Sequence, residues 1–386
     1  MVGMIKNKKI YAVLAALCAV ASAIGPFGWN VSVANASYHF SDFQGTPPVH
    51  VYKSAQAKPS GVTPAQIKKI YKLPSTGGKG TIALIDAYDD ANIESDLAVF
   101  DKQYNLPACT TTNGCFERHK MATSTTSNSG WAMETSLDVE WAHAIAPTAK
   151  ILLVEAKTQS GANLLSAVDY AAARKDVVAV SMSWGGAEFS DELSYDSHFI
   201  GASSGTVFFA SSGDDGTGAS WPAASPNVIG VGGTSLELAS SGALIAESAW
   251  SGSGGGVSAY EKEPAYQAAY KIAKANGMRA IPDVAYDADP ASGYPVYLTT
   301  GNTTKAKGGW NTVGGTSAGA PQWAAIQALG GSAELTKFYT DKASTSTLKY
   351  FRDITSGSNG TCKYYCDARK RYDYVTGLGT PQTTKF

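Results

Sequence analysis

The stretch "TIALIDAY" (residues 81–88) is an apolar run of strand length that leads directly into two acidic residues. Four similar runs follow it, and helix-like segments separate them. They are "AKILLVEA" (149–156), "VVAVSMSW" (177–184), "TVFFASS" (206–212) and "NVIGVGG" (227–233). Near-continuous apolar strands that alternate with helices predict a mostly parallel sheet covered by helices on both faces. The predicted fold class is therefore α/β, a doubly wound sheet in a single domain.

The helix-like segments between these runs are amphipathic or largely apolar. They are "NIESDLAVFDKQY" (92–104), "WAMETSLDVEWAHAI" (131–145), "ANLLSAVDYAAAR" (162–174) and "ELSYDSHFIGASS" (192–204). In doubly wound sheets the ligand crevice lies outside the carboxyl ends of the strands. Three of those ends read "IDAYDD", "SWGG" and "SSGDDG", so acids and glycines gather at one edge. This edge is the predicted site, although Asp89, Asp90 and Asp215 can equally be ordinary turn residues.

The N-terminus has the pattern of a secretory signal over residues 1–36. Three lysines precede an apolar core, and "ANA" (34–36) is a cleavage signal. A membrane anchor is the competing interpretation, but Gly25, Pro26 and Gly28 interrupt the apolar run near the length that a span needs. We expect an exported chain that begins near Ser37, with a short extension (37–60) before the main domain (61–386).

Charge and cysteine content narrow the functional classes. Loss of the three signal lysines lowers the basic count from 31 to 28 against 32 acidic residues, a formal net charge of −4. This balance disfavours nucleic acid and anionic membranes as partners. Four cysteines remain in two close pairs, Cys109 with Cys115 and Cys362 with Cys366, which predict two loop-closing disulfides. A metal site is the alternative, but histidines do not accompany either pair.

The segment "WNTVGGTSAGAPQWAAI" (310–326) places Ser317 at a predicted junction between a loop and a helix. The preceding glycines permit a tight turn, and Pro321 suits the first turn of a helix. A nucleophilic serine needs a base, yet none of the five histidines follows Ser317, as the order of an α/β-hydrolase would require. None has the Gly-rich helix start of a subtilisin histidine either. His143 is predicted to be structural.

An acidic pair supplies a candidate base. Glu134 and Asp138 are four residues apart in a predicted helix, so both carboxylates lie on one face. Burial would couple their titration and raise one pKa, leaving a group that exchanges a proton in mild acid. The spacing alone fits a solvated helix face equally well, because acid pairs at this spacing are common.

Taken together, these residues resemble the sedolisins, serine-carboxyl peptidases with a subtilisin-like fold. The resemblance extends from about Gly61 to Pro381. Its segments, in order, are "GVTPAQIKKIYKLP", "IALIDAYDD", "ETSLDVEWAHAIAP", "VSMSWGG", "SSGDDG", "GGTSAGAP" and "YDYVTGLGTP". Each is weak alone, but their order and separations are specific.

The resemblance implies a role for each site residue. Ser317 is the nucleophile, Glu134 the general base and acid, Asp138 its orienting carboxylate and Asp214 the oxyanion-hole acid. An aspartate can donate to an oxyanion only when it is protonated, so we expect activity in acid. An extended peptide would add to the edge formed by Ser183, Trp184 and Gly185, where Trp184 either lines a subsite or simply packs. Asp86 lies where related enzymes can extend the carboxyl network.

The resemblance also implies a structural calcium ion near the C-terminus. Asp353 and Asp373 match its carboxylate ligands, and the Ile354 carbonyl matches a backbone ligand. Arg369 and Arg371 stand where other members often carry glycines whose carbonyls bind the ion. The alternative is a solvated loop closed by Cys362 and Cys366.

Members of the family usually carry a long prosegment that blocks the cleft, whereas about two dozen residues separate the predicted signal cleavage from "GVTPAQ". The function expected is a secreted, monomeric acid endopeptidase acting on proteins or peptides. A peptidase-fold binding protein without activity and a transpeptidase or amidase that uses the same acyl-enzyme are the alternatives. An acid digestion assay with product masses distinguishes the three.

Overall fold

The structure is a computed structural model that describes residues 38–386, apart from 124–125, 204, 303–306 and 341–348. The predicted signal (1–36) and the predicted start near Ser37 lie outside the described residues. In the described part of the chain, no helix is both long and apolar enough to cross a membrane.

The helices and strands are numbered along the chain. The helices are α1 (Pro64–Ile70), α2 (Ile93–Tyr104), α3 (Ser129–Ile145), α4 (Gly161–Ala172), α5 (Ala265–Tyr270), α6 (Gly319–Ala328) and α7 (Leu335–Phe338). The strands are β1 (His50–Gln56), β2 (Thr81–Ala87), β3 (Phe116–Lys120), β4 (Lys150–Ala156), β5 (Val177–Met182), β6 (Gly186–Ala187), β7 (Val207–Ser211), β8 (Ser220–Trp221), β9 (Val228–Leu238), β10 (Leu244–Ala249), β11 (Gly256–Lys262), β12 (Met278–Ile281), β13 (Val284–Asp287), β14 (Tyr294–Asn302), β15 (Lys307–Gly314), β16 (Phe351–Arg352) and β17 (Thr380–Pro381).

The central sheet has the order β10-β9-β7-β5-β2-β4-β3, and β13 also pairs with β9. All pairs are parallel except that of β10 with β9. The five predicted strands are its core, which confirms the mostly parallel sheet. β9 continues well beyond the predicted end at residue 233, because its second half pairs with β10.

Alternate residues of one strand face opposite layers, which explains why the predicted strands are apolar throughout. Ile82 and Leu84 of β2 join the apolar cluster built with α3 and α6, whereas Ala83 and Ile85 join the cluster built with α4. A strand buried on both faces has no solvent side, so period-two alternation of polar residues is lost.

The helix predicted over residues 192–204 is wrong. The chain forms a 3-10 helix over Glu192–Phe199 and then turns. Within that helix Glu192 and Phe199 are the buried residues, so it lacks the apolar stripe that holds an α-helix against a sheet. The other three predicted helices correspond to α2, α3 and α4.

A second, three-stranded sheet pairs the N-terminal strand β1 with the later strands β15 and β14. Its order is β1-β15-β14, and β1 runs antiparallel to β15 with His50 opposite Gly314. The segment after β15 contains Ser317. Pairing of β1 with β15 therefore brings the N-terminal residues close to the predicted nucleophile.

Candidate active site

Helix α3 carries both predicted carboxylates into the protein interior. Its N-terminus is capped by the Asn128 side chain, which accepts hydrogen bonds from the Gly130 and Trp131 amides at 2.9 and 3.2 Å. Every residue from 131 to 145 is buried, and Glu134 and Asp138 are both fully inaccessible. The solvated-face interpretation of the pair is therefore excluded.

Ser317 lies in a one-turn 3-10 helix between β15 and α6. Gly315 has φ +128°, a conformation that favours glycine, and lets the chain leave β15 sharply. Pro321 falls in the first turn of α6, as predicted. The Ser317 hydroxyl is buried and has no hydrogen-bond partner in the described structure, so it is available for reaction.

Asp214 follows β7 and binds the backbone next to Ser317. Its Oδ1 accepts hydrogen bonds from the Thr316 amide and hydroxyl, both at 2.8 Å. Its Oδ2 is 3.0 Å from Nε2 of His50, although that contact is poorly aligned for a hydrogen bond. Asp214 is therefore hydrogen-bonded to Thr316, the residue immediately before the predicted nucleophile.

The three predicted substrate-binding residues occupy different positions. Ser183 donates its hydroxyl to Asp138 Oδ1 at 2.8 Å and lies 3.3 Å from the Ser317 carbonyl, so it joins the carboxylate network. Trp184 is buried, and its indole N–H donates to the Ile85 carbonyl at 3.0 Å. Gly185 exchanges two backbone hydrogen bonds with Thr46, at 3.0 and 3.2 Å, as an edge residue does with an added strand.

Burial dominates the electrostatics of the carboxylate network. It raises the pKa of Glu134 well above its usual value, and the neighbouring Asp86 charge raises it further. Ser317 and Asp138 are close enough to lower that pKa in part, although neither completes a hydrogen bond of standard geometry to Glu134. Burial and then the Glu134 charge raise the pKa of Asp138. The pair therefore retains a proton at pH values where isolated carboxyls are ionised.

Burial also raises the pKa of Asp214. The contact with His50 and the hydrogen bonds from Thr316 oppose this rise in part. The raised pKa extends the pH range in which Asp214 is a neutral acid with a hydrogen to donate.

Asp86 extends the network beyond the predicted pair. It lies near the carboxyl end of β2, both of its oxygens are buried without a hydrogen-bond partner, and burial followed by the Asp138 charge raises its pKa. Sequence reasoning missed Thr316, whose hydroxyl binds Asp214, and His50. The position of Thr316 beside Ser317 was a usable signal, but nothing in the sequence around His50 indicated contact with the site.

The predicted calcium ligands lie together in the C-terminal loop. Asp373 is buried and accepts the amides of Arg369, Val375 and Thr376. Asp353 Oδ2 accepts the Arg371 amide at 2.9 Å, and its Oδ1 is buried without a hydrogen-bond partner. Burial raises the pKa of Asp353, and it raises that of Asp373 to about 7. The Ile354 side chain is buried beside them.

Both predicted disulfides are present, Cys109 with Cys115 and Cys362 with Cys366. In the described residues, Cys109, Cys115 and His143 have ligand atoms within 4.8 Å of one another, but the two sulfurs are bonded to each other. His143 is buried, 2.9 Å from the Pro107 carbonyl, and burial lowers its pKa to about 4. It therefore belongs to the core, as predicted.

The comparisons with known proteins agree with this geometry. The subtilase family matches residues 120–350, well over half of the chain. Kumamolisin from Bacillus sp. (strain MN-32) is 31% identical over 369 residues, covering 85% of this chain and 63% of the relative. Sedolisin from Pseudomonas sp. (strain 101) is 32% identical over 216 residues, covering 48% of this chain and 35% of the relative. The matches thus span less than two thirds of these curated relatives.

A solved structure of Pseudomonas sedolisin, described as a serine-carboxyl proteinase complexed with two molecules of pseudo-iodotyrostatin, superposes with a TM-score of 0.70 at 26% identity. The match covers 84% of this chain and 96% of that one. Family and fold agree. The chain belongs to the subtilase family and, within it, to the sedolisins.

Proposed function

We propose that the chain is a secreted, acid-active serine-carboxyl endopeptidase that cleaves proteins or peptides through a Ser317 acyl-enzyme. The observation that carries this proposal is that Ser317 lies with its hydroxyl buried near Glu134, the first member of the acidic pair. Its hydroxyl is near enough to affect the Glu134 pKa, and Asp214 lies beside it. A serine without an adjacent base is a poor nucleophile, and here the base is a carboxylate.

The proposed reaction begins when Ser317 Oγ attacks the substrate carbonyl carbon and Glu134 accepts the hydroxyl proton. Glu134 then gives this proton to the leaving amine as the C–N bond breaks. Water repeats the sequence: it loses a proton to Glu134, attacks the acyl carbon and releases Ser317. Asp138, which Ser183 holds through a hydrogen bond, orients Glu134 and shares its proton.

Asp214 would stabilise the oxyanion of the tetrahedral intermediate by donating its own proton. An ionised Asp214 would repel that charge, so the rate falls as pH rises through its pKa. Loss of the proton held by the Glu134–Asp138 pair raises the rate instead, because Glu134 must be ionised to accept the proton of Ser317. Both pKa shifts are upward, so the active range should lie above that of ordinary carboxyls yet remain limited at its alkaline side.

Calcium is part of this proposal as a structural ion. Among the described residues the buried Oδ1 of Asp353 has no hydrogen-bond partner and is an available ligand. A divalent cation would stabilise the ionised forms of the half-buried Asp353 and the buried Asp373, whose pKa values burial raises. Asp353, Asp373 and the Ile354 carbonyl would hold it. Backbone amides of Arg369 and Arg371 already occupy two of the carboxylate oxygens, so these residues would reorient when the ion binds.

The direct test is hydrolysis of casein or haemoglobin over about pH 3 to 8, because the rate should depend on the protonation of Glu134, Asp138 and Asp214. We expect acid-limited activity that Ser317→Ala and Glu134→Gln each reduce by at least about a thousandfold. Glu237→Gln, at an exposed position of β9, is the matched control. Activity that survives Glu134→Gln, or that peaks at neutral pH, would refute the carboxyl mechanism. Transfer products without hydrolysis would indicate a transpeptidase.

A further inference from the structure

A row of charged side chains runs across the central sheet from the proposed catalytic pair to the edge strand β3. Asp86 of β2 is the register partner of Glu155 of β4, and Glu155 is in turn the partner of Lys120 of β3. Register partners on adjacent strands lie about 5 Å apart and point to the same face. Leu84, two residues before Asp86, joins the apolar cluster built with α3. Asp86 and Glu155 are therefore on the side of the sheet that carries the catalytic pair.

Arg118 connects this row to the protein surface. Its Nε and Nη2 donate to the two oxygens of Glu155 at 2.9 and 2.7 Å, and the Glu155 side chain is 1% exposed. Nη2 also donates to Asp89, whose other oxygen accepts Lys120 Nζ at 2.8 Å. The amide of Asp90 donates to Glu155 as well, at 2.9 Å. A carboxylate that accepts from a guanidinium fork and an amide is held in its ionised form.

Asp86 lies beside this ion pair without a donor of its own. It is fully buried, and neither of its oxygens has a hydrogen-bond partner among the described residues. Burial raises its pKa most, followed by the charges of Asp138, Glu155 and Asp90. Asp86 in turn raises the pKa of Glu134. The charge balance at Glu155 can therefore reach the proposed general base through Asp86.

The elements around Asp86 and Glu155 contribute mostly acids. Helix α3 contributes Glu134 and Asp138, the loop after β2 contributes Asp89 and Asp90, α2 contributes Asp96, and β3 contributes Arg118 and Lys120. Burial raises the pKa of Glu155, and the hydrogen bonds from Arg118 and from the Asp90 amide oppose that rise in part. The Arg118 charge also lowers the pKa of Asp90. Lys120 is 39% exposed and bonds Asp89 instead, so Arg118 is the cation that acts on the buried acids.

From this arrangement, and resting on the proposed function, we propose that Arg118 is a positioning residue that sets the proton content of the catalytic carboxyls through Glu155 and Asp86. Removal of Arg118 leaves one unbalanced negative charge beside Asp86, so each nearby carboxyl keeps its proton to a higher pH. Removal of the Glu155 charge has the opposite effect, because Arg118 then stabilises the ionised forms of the remaining acids. The two partners of one ion pair should shift the catalytic pH range in opposite directions.

The test is the pH dependence of kcat/KM for a short peptide in Arg118→Gln, Glu155→Gln and the double variant. The acid limb is the range in which the rate rises as Glu134 ionises. We expect this limb to move up by about half a pH unit or more in Arg118→Gln and down by a similar amount in Glu155→Gln. One unit charge 10 Å away shifts a pKa by about one unit at an effective dielectric constant of 20. The double variant and Arg118→Lys, which keeps the charge, should lie close to the wild type.

Arg174→Gln is the matched control. Arg174 also bonds two acids, Glu117 and Asp176. Glu117 precedes Arg118 on β3 and so points to the opposite face of the sheet, and Asp176 directly precedes β5, at the end of the sheet away from the site. Its loss should leave the acid limb unchanged. Equal rate losses in Arg118→Gln and Glu155→Gln with an unmoved acid limb would overturn the proposal and indicate a purely structural ion pair.

The proposed function and this inference fail in different ways. The carboxyl carbon-13 resonance of Asp86, assigned by its loss in Asp86→Asn, follows the titration without hydrolysis, on the full chain with Ser317→Ala. It should titrate at a higher pH in Arg118→Gln and at a lower pH in Glu155→Gln. These shifts in a chain that cleaves no peptide at any pH would refute the peptidase and leave the inference standing. Hydrolysis with the same Asp86 titration in both variants would overturn the inference. If Arg118→Gln does not fold, the nearly isosteric Glu155→Gln provides the test by itself.

Discussion

At the residue scale, Asp214 is the group whose protonation state would set the alkaline limit of the proposed activity. Its Oδ1 is held by the Thr316 amide and hydroxyl, and burial keeps its pKa raised. An asparagine can accept the same two bonds and presents an N–H at every pH. Under the proposed mechanism, the titration of this side chain, rather than its position, would limit activity at high pH.

Asp214→Asn should therefore retain measurable activity and lose its alkaline limit. The amide donates to the oxyanion without needing a proton, although more weakly than a neutral acid, so kcat at the optimum should fall by about tenfold to a hundredfold. The measurement is the pH dependence of kcat for a short peptide. An unchanged alkaline limb in this variant would show that another group imposes it.

Ser183 has a positioning role that its place at the substrate edge did not predict. Its hydroxyl donates to Asp138 and lowers the Asp138 pKa against the effect of burial. In Ser183→Ala that pKa rises, so the acidic pair loses its proton at a higher pH. We expect the acid limb of the kcat profile to move upward and the maximal rate to fall about tenfold, the effect of one buried hydrogen bond.

Ser166→Ala is the control for this substitution. Ser166 is exposed on α4, where its hydroxyl donates to the Ala162 carbonyl, far from the carboxylates in sequence. A lower rate in Ser183→Ala with no shift of the acid limb would mean that Ser183 contributes packing alone.

At the scale of elements, the C-terminal loop is where the calcium proposal can be tested without measuring activity. Asp353 Oδ1 has no hydrogen-bond partner among the described residues and is the proposed ligand atom. Calcium at a hundredfold excess over its Kd stabilises the folded chain by about 2.7 kcal/mol, which raises the Tm by several degrees. Asp353→Asn should abolish this rise. Asp367→Asn, in the same loop, should keep it, and equal rises in both variants would contradict the assignment.

The strands and helices could be predicted where the segment is buried along its whole length. The five apolar runs became strands and three of the four helix-like segments became α-helices, because continuous burial selects apolar residues over their whole length. The segment at 192–204 failed because its polar residues carry no helical period, and tertiary contacts alone decide its path. The other strands, among them β3, β10, β13, β14 and β15, were not predicted, because none of them is a continuous apolar run of strand length.

At the scale of the whole molecule, buried acids connect stability to pH. Burial raises the pKa of Asp90 to about 6, of Asp101 to about 7 and of Glu261 to about 8. A group whose pKa is higher in the folded chain binds its proton more tightly there. The stabilisation is therefore complete below the ordinary pKa of about 4 and is lost as pH rises through the folded values.

His143 has the opposite effect on stability over part of this pH range. Burial lowers its pKa to about 4, so its contribution to stability increases as pH rises. Several buried acids outweigh one buried histidine, so the Tm should fall between about pH 5 and pH 8. We expect a decrease of more than about 5 °C, since each kcal/mol corresponds to about 1–2 °C in a domain of this size.

Thermal unfolding should be followed in the Ser317→Ala background, which prevents self-digestion. Asp101→Asn should make the decrease of Tm with pH less steep, because an amide does not titrate. The exposed Glu237→Gln should leave the pH dependence of Tm unchanged. A Tm that rises from pH 5 to pH 8 would contradict the direction of these pKa shifts.

The sequence by itself predicted the layer order of the fold and the two disulfides, which the structure confirms, and it predicted Ser317, Glu134, Asp138 and Asp214 as site residues, because each depends on local pattern or on motif order along the chain. Tertiary structure alone decided that Ser183 holds Asp138, that Thr46 pairs with Gly185 and that His50 reaches Asp214. These contacts join residues that are distant along the chain. No periodicity or spacing records such contacts, since they arise only when β1 pairs with β15 and the strand ends converge.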